Sequence, residues 1–195
     1  MVEDLILYPP IGIAGAARSG KDTLCKGMIR YLSSLGIKAK RMSIAGDTVK
    51  NDVYQLLMDK FGIDSHTENH EDKEFIRPLL VEYGKMQRVK TKGRYFINKF
   101  KFVPESINII PDIRYIEYPN DEVNWLKDEV KGLLIFIKRK DVHDANDTEK
   151  VNNRIIKHHA DYRLEWDTVK NDQEVDDHAK YIIDNFYLPL INRTF

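Results

Sequence analysis

The stretch Gly15–Thr23 reads GAARSGKDT. Its spacing is that of a phosphate-binding loop, G-x-x-x-x-G-K-[ST], in which the hydroxyl after the lysine holds the Mg²⁺ of a bound nucleotide. Gly15, Gly20 and Lys21 keep the pattern, but Asp22 follows the lysine and a hydroxyl arrives only at Thr23. The context fits a loop between a strand and a helix. Ile11–Ala14 (IGIA) is a short apolar run behind Pro9-Pro10, and Leu24, Met28, Tyr31, Leu32 and Leu35 then recur at helical spacing before Gly36. Amides of Gly15, Ala16, Ala17, Arg18, Ser19 and Gly20, with the helix N-terminus at Lys21, Asp22 and Thr23, are expected to cradle phosphate oxygens, and Lys21 to stabilise a transferring group.

On either side of this loop the elements alternate. A second strand is expected at about 39–45, then a helix capped by Asp47 with Val49, Val53, Leu56, Leu57 and Phe61 on one face. Pro78, at a first-turn position, is expected to open a helix through Leu79, Leu80, Tyr83 and Met86. Strands at 107–110 and 133–137 flank a helix near 121–130; a polar helical stretch, a short strand near 166–169 and a last helix through Tyr181 and Phe186 follow. This order predicts an α/β fold with a mainly parallel sheet, whose ligands bind outside the carboxyl ends of the strands.

The chain of 195 residues is long enough for one substantial core and is read as one domain. With 31 Lys and Arg against 31 Asp and Glu, bulk charge gives no reason to attract nucleic acid or an anionic membrane. The single cysteine, Cys25, excludes an intrachain disulfide, and a reducing cytoplasm fits best. The start, MVEDLILYPP, places acids before a short apolar patch, the wrong order for a secretory signal, so the fold is expected to begin at once. Runs such as LLIFI at Leu133–Ile137 suit buried strands and are too short for a bilayer.

Other residues fall where chemistry is expected. PDIR at Pro111–Arg114 follows a strand, so Asp112 could hold Mg²⁺ through water or orient an attacking oxygen, and Arg114 could grip an acceptor phosphate. In FIRPLLVEYGKMQR, Arg77, Gly84 and Arg88 share one side of a continuous helix, which suits either a nucleotide groove or a solvated cationic face. KTKGRYFINKFKF at Lys90–Phe102 interleaves cations and aromatics and is read as a loop over a small-molecule pocket rather than a nucleic-acid grip. Lys150, Arg154 and Lys157 form either the basic face of a lid or a solvated helix face. His143, His158 and His159, with Asp144 and Asp161, match no metal-ligand spacing.

With these residues assembled, the chain resembles the bacteriophage deoxynucleoside monophosphate kinases, a branch of the ATP-using P-loop kinases. The likeness rests on SGKDT at Ser19–Thr23, AGDTVK at Ala45–Lys50, R-x-L-L-x-x-Y-G-x-x-x-R from Arg77 to Arg88, PDIR at Pro111–Arg114 and WDTVKND at Trp166–Asp172, in that order. It implies a P-loop NTPase-type three-layer fold with a five-stranded, mainly parallel sheet in a single domain over 1–195. Substrate-binding helices at about 47–102 and a lid at about 140–165, with Lys150 and Arg154, would complete it. The implied activity is transfer of the γ-phosphoryl of ATP, with Mg²⁺, to a nucleoside monophosphate, in the cytoplasm, with a homodimer left open.

By motif match, Lys21 and Thr23 serve the donor phosphates, Arg77 and Arg88 the acceptor, and Asp112 and Arg114 the reacting centre; Asp47, Lys50 and Gly84, with Arg114, are further candidates for binding the substrate. Thr23 and Asp112 would meet the metal through water. Ile44 stands where the family often has phenylalanine, and YIEYPND follows Asp112-x-Arg114 where the family has an acid. These departures bear on base choice, not on the phosphate machinery. Adenylate-kinase-like loops read G-K-G-T, so GKDT keeps their register with Asp22 in the glycine position. Asp22 then either faces Mg²⁺ through water or turns toward Arg114 and the acceptor. GTP specificity is not expected, because no N-K-x-D motif occurs: Asn98-Lys99 is followed by Phe100 and Lys101. The competing readings are a P-loop kinase of another small phosphorylated metabolite, and an ATP-binding interaction module with little turnover.

Overall fold

The structure, a computed structural model, describes residues 8–144, 146–167 and 171–194. The chain divides into two compact units, one formed by 1–42 with 101–195 and the other by 43–100.

The larger unit is built on a five-stranded sheet. Strands β1 (Ile11–Ala14), β2 (Ala39–Arg41), β3 (Ile107–Ile113), β4 (Leu133–Arg139) and β5 (Tyr162–Trp166) lie in the order β2-β3-β1-β4-β5, and every pairing is parallel. A parallel sheet needs both faces covered, which is why β1, β3 and β4 read as continuous apolar runs. Ile11 and Ile13 face Leu24, Cys25, Met28 and Leu32 of helix α1 (Lys21–Ser34), and the same core takes in Ala179 and Ile182 of a C-terminal helix, Asp172–Ile182. Gly12 faces the other way. A Cβ there would collide with Leu126, which lies in the π-helical turn Trp125–Glu129. The sheet is therefore sandwiched, as the three-layer expectation requires.

The strand boundaries differ from those expected. Strand β2 stops at Arg41 rather than about 45, although the Met42 amide still bonds to the Ile109 carbonyl. Strand β3 runs on to Ile113, so Asp112 lies inside it. The expected strand near 166–169 is β5, shifted toward the N-terminus; residues 168–170 lie outside the described residues.

The smaller unit is helical. Helices α2 (Gly46–Phe61), α3 (His70–Thr91) and α4 (Arg94–Lys99) carry a core of Val53, Leu57 and Ile76, with Leu79, Leu80 and Tyr83 packed against it. Three expectations need correction here. Ala45, not Asp47, occupies the cap of α2; Asp47 sits in its first turn, where a carboxylate still favours the positive helix end. Helix α3 starts at His70, because the Asn69 side chain accepts from the Glu71 and Asp72 amides, and Pro78 lies in its interior. The segment 90–102 is largely helical rather than a loop, and Phe96 and Ile97 are buried. Leu56 and Phe61, expected on the buried face of α2, are 48% and 53% exposed, and Phe61 meets Phe75 edge-on.

Past the sheet's third strand come α5 (Glu122–Asn124), which continues as the π-helical turn, then α6 (Asp147–His159), α7 (Asp172–Ile182), a second π-helical turn (Ile183–Tyr187) and α8 (Leu188–Thr194). Among the described residues no helix is long and apolar enough to cross a membrane.

Candidate active site

The loop from Gly15 to Gly20 leaves the carboxyl end of β1 and opens α1, with Gly20 in the cap position. Two glycines are demanded by distant neighbours. Gly15 has φ +140°, and a Cβ on it would run into the Ile137 carbonyl of β4. Gly20 has φ +96°, and a Cβ would stand 2.5 Å from the indole of Trp166 in β5. Only glycine meets both the left-handed backbone and the close approach. Arg18 also takes a positive φ, 63°, which gives the loop its sharp reversal.

Side chains from β4, β5 and α6 hold this loop. Trp166 Nε1 donates to the Ser19 carbonyl at 2.8 Å in a buried contact, and Arg139 Nη1 reaches the Arg18 carbonyl at 3.4 Å. The Ala17 amide donates to Glu149 Oε1 at 3.1 Å, so a carboxylate from the first turn of α6 sits on the phosphate loop. Ser19 Oγ is buried and has no hydrogen-bond partner among the described residues. An orphaned buried hydroxyl in a glycine-rich loop that opens a helix fits a site made for an anion.

Lys21 is 8% exposed, and its ammonium donates to the Gly15 and Ala16 carbonyls, each at 2.7 Å. Burial, joined by the Arg114 charge, pulls its pKa down to about 8, against the opposing pull of Glu149, Asp22 and Asp112. Lys21, Asp22, Asp112, Arg114 and Glu149 therefore share one electrostatic neighbourhood at the carboxyl ends of β1 and β3, as expected of a phosphate site.

The Asp112–Arg114 turn is anchored from beneath. The Arg114 amide donates to Glu122 Oε2 at 2.6 Å, and Glu122 is almost fully buried. Burial pushes the Glu122 carboxyl up to about 8, although the Arg114 amide favours its ionised form; the neighbouring Asp112 and Asp121 charges push the same way as burial. Arg114 itself is exposed just past the strand end. Asp22 corrects the sequence expectation: its Oδ1 pairs at 2.7 Å with Nε of Arg41, at the end of β2, rather than with Arg114.

No protein-family model matches the chain, and no curated protein matches it by sequence. Among solved structures, the dephospho-CoA kinase from Campylobacter jejuni is similar at 11% identity, covering 93% of this chain and 99% of that chain, with a TM-score of 0.40. Shikimate kinase from Acinetobacter baumannii matches at 14% identity over 95% and 94% of the two chains, with a TM-score of 0.44. The APS kinase CysC from Mycobacterium tuberculosis matches at 16% identity over 91% and 96%, with a TM-score of 0.39. The fold assignment rests on the sheet order and the loop, not on likenesses of this degree.

A cleft of about 550 Å³ adjoins the loop; Ala16, Phe136, Arg139, Lys150, Arg154 and Lys157 are among its lining residues. The two lid candidates, Lys150 and Arg154, thus face a cavity rather than open solvent alone. The opposite side of α6 is firmly held: Asn152 is 1% exposed, accepts from the Ile116 amide at 3.1 Å and donates to Glu117 at 2.8 Å. Among the described residues no group of three or more His, Cys, Asp or Glu could hold a metal ion. Cys25 is a buried core thiol, pushed up to about 12 by burial.

Within the smaller unit, Arg77 and Arg88 lie on one side of α3 but differ in surroundings. Arg77 is exposed and donates to Glu74 at 2.7 Å, whereas Arg88 is 5% exposed. A Cβ on Gly84 would meet Val49 at 3.5 Å and Phe96 at 3.9 Å, which is ordinary contact. Lys50 is half-buried on α2.

Sequence reasoning missed Arg41, Glu149, Trp166, Arg139 and Glu122. For Arg41 a signal existed: the rule that ligands gather at carboxyl strand ends singles out the last residue of β2 as it singles out Asp112.

Proposed function

We propose that the chain is an ATP-dependent kinase that transfers the γ-phosphoryl group of ATP to a deoxynucleoside monophosphate, giving ADP and the diphosphate. The observation that carries the reading is the phosphate loop at the end of β1, with a buried Lys21 in the same electrostatic neighbourhood as Asp112 and Arg114.

In such a transfer an oxygen of the acceptor phosphate attacks the γ-phosphorus, and the bond to the β,γ-bridging oxygen breaks, leaving its electron pair on ADP. A phosphate is already ionised near neutral pH, so no base is required. Catalysis then consists of positioning and of stabilising spread negative charge. Loop amides would hold the donor phosphates, and Lys21 would exchange the Gly15 and Ala16 carbonyls for phosphate oxygens. Arg114, exposed beside Asp112, would meet the transferring group. The resemblance places Arg77 and Arg88 on the acceptor side, with Asp47, Lys50 and Gly84 as further candidates there.

With the Asp22 carboxylate paired to Arg41 and Glu149 accepting from the Ala17 amide, the oxygen groups proposed to face the metal are the Thr23 hydroxyl, exposed in the first turn of α1, and the half-buried Asp112 carboxylate. So few hard ligands suit Mg²⁺ that keeps several waters and arrives with the nucleotide, not a dedicated protein cage. Bound there, Mg²⁺ would neutralise charge on the phosphates.

The test is incubation of the protein with ATP, Mg²⁺ and each deoxynucleoside monophosphate in turn, followed by separation of nucleotides. ADP and a new diphosphate in equal amounts support the reading. ADP formed without dependence on any monophosphate, or ATP binding without turnover, refutes it.

A further inference from the structure

Arg41 is the last residue of β2, at the edge of the sheet's carboxyl end, and its Nε donates to Asp22 Oδ1 at 2.7 Å. Asp22 follows the loop lysine, so this one bond ties a guanidinium to the phosphate loop. The Asp112 charge also acts on Arg41, after burial and the bond to Asp22. Arg41 and Lys21 thus lie in the field of the same two acids, one on α1 and one on β3.

Three features separate this arrangement from a stray surface ion pair. First, a carboxylate in the first turn of α1 would repel a polyphosphate unless a cation stood beside it, and Arg41 supplies that cation. Second, only Nε is engaged: among the described residues Nη1 and Nη2 donate no hydrogen bond. A guanidinium held by Nε keeps a two-nitrogen edge, the geometry that grips a phosphate bidentately and that lysine cannot reproduce. Third, the location selects between the two phosphates. Glu149, Arg139 and Trp166 approach the loop from β4, β5 and α6, whereas β2 lies beyond β3 on the other side of β1. The cleft that adjoins the loop is lined from β4 and α6 and is large enough for one nucleotide; if the donor takes it, Arg41 attends the opposite approach.

We infer that Arg41 binds the phosphoryl group of the acceptor and that Asp22 is its positioning residue, an inference that rests on the kinase reading above. The aspartate in the glycine position of the loop then serves the acceptor through Arg41.

The experiment compares wild type, Arg41→Ala, Arg41→Lys and Asp22→Asn, each checked for an unchanged melting temperature. KM for each of the four common deoxynucleoside monophosphates is measured at saturating MgATP, and ATP affinity by equilibrium titration. Loss of a bidentate phosphate contact is expected to raise the monophosphate KM by on the order of 30-fold or more in Arg41→Ala, and to weaken ATP by no more than about fivefold, the scale on which an exposed, unpaired Asp22 carboxylate repels the donor phosphates. Arg41→Lys should recover only a small part of this. Asp22→Asn should raise the same KM by about three- to tenfold without changing kcat, the scale of a half-exposed ion pair that orients a ligand. Millimolar guanidinium should partly restore Arg41→Ala. Equal losses for ATP and monophosphate, or an unchanged monophosphate KM, overturn the assignment while leaving the kinase reading intact. Absence of diphosphate from the wild type with every monophosphate overturns both.

Discussion

Trp166→Phe is the change that most directly tests how the phosphate loop is held. The indole donates to the Ser19 carbonyl at 2.8 Å in a buried contact, and phenylalanine removes that donor while keeping an aromatic ring beside Gly20. Stranding a buried carbonyl costs about 1–3 kcal/mol. The two ring carbons lost besides the nitrogen add about 1.6 kcal/mol, at about 0.8 kcal/mol per buried carbon. The expected destabilisation is therefore roughly 2.6–4.6 kcal/mol, with the upper end reached if the site cannot collapse. Urea unfolding followed by circular dichroism gives this number, and ATP titration of the folded variant gives the second readout. ATP affinity should fall as well, because the Ser19 peptide carries loop amides. A variant with wild-type urea midpoint and wild-type ATP affinity would refute the claim that Trp166 shapes the loop.

Three further outcomes are expected. Lys21→Ala should lower turnover by about two to three orders of magnitude, the scale for losing one preorganised electrostatic contact; a steady-state assay on variant protein shown to be folded by circular dichroism checks it. Because the free-enzyme pKa of Lys21 is drawn down to about 8, kcat/KM for ATP should fall above about pH 8, approaching tenfold per unit, while kcat holds to higher pH; a pH–rate profile decides it. Glu122 has its folded pKa raised from 4.5 to about 8, so the native state binds the extra proton between those values, and its contribution to stability declines as pH rises from about 4.5 to 8. Glu122→Gln should remove that decline while still accepting from the Arg114 amide, as unfolding curves across the range would show.

Much of the larger unit was legible because its signals are local. The apolar run Ile11–Ala14, the loop spacing and the helical recurrence from Leu24 to Leu32 each depend on neighbours in sequence. The alternation of strands with helices then dictated a parallel sheet. The misreadings arose where a residue's role depends on something far along the chain. Pro78 suggests a helix start because proline suits a first turn, yet the Asn69 cap and the burial of Ile76 hold α3 across it. The mix of cations and aromatics in 90–102 suggests a loop over a small-molecule pocket, but Phe96 is buried and Phe102 stacks on Trp125. Asp22 could be seen as anomalous from the motif alone. Its partner could not, since nothing in the sequence sets Arg41 against α1 until β2 has been placed at the sheet edge.

The two glycines of the loop are fitted against the Ile137 carbonyl and the Trp166 indole, groups made more than a hundred residues later in the chain. The glycine-rich loop is thus not portable: a peptide spanning β1, the loop and α1 has the sequence of the candidate site without the surfaces that mould it. The same dependence sets an order during synthesis. The loop leaves the ribosome well before β4 and β5, but it acquires its shape only when both have docked, so a nascent chain halted before residue 166 should carry the motif and bind no nucleotide.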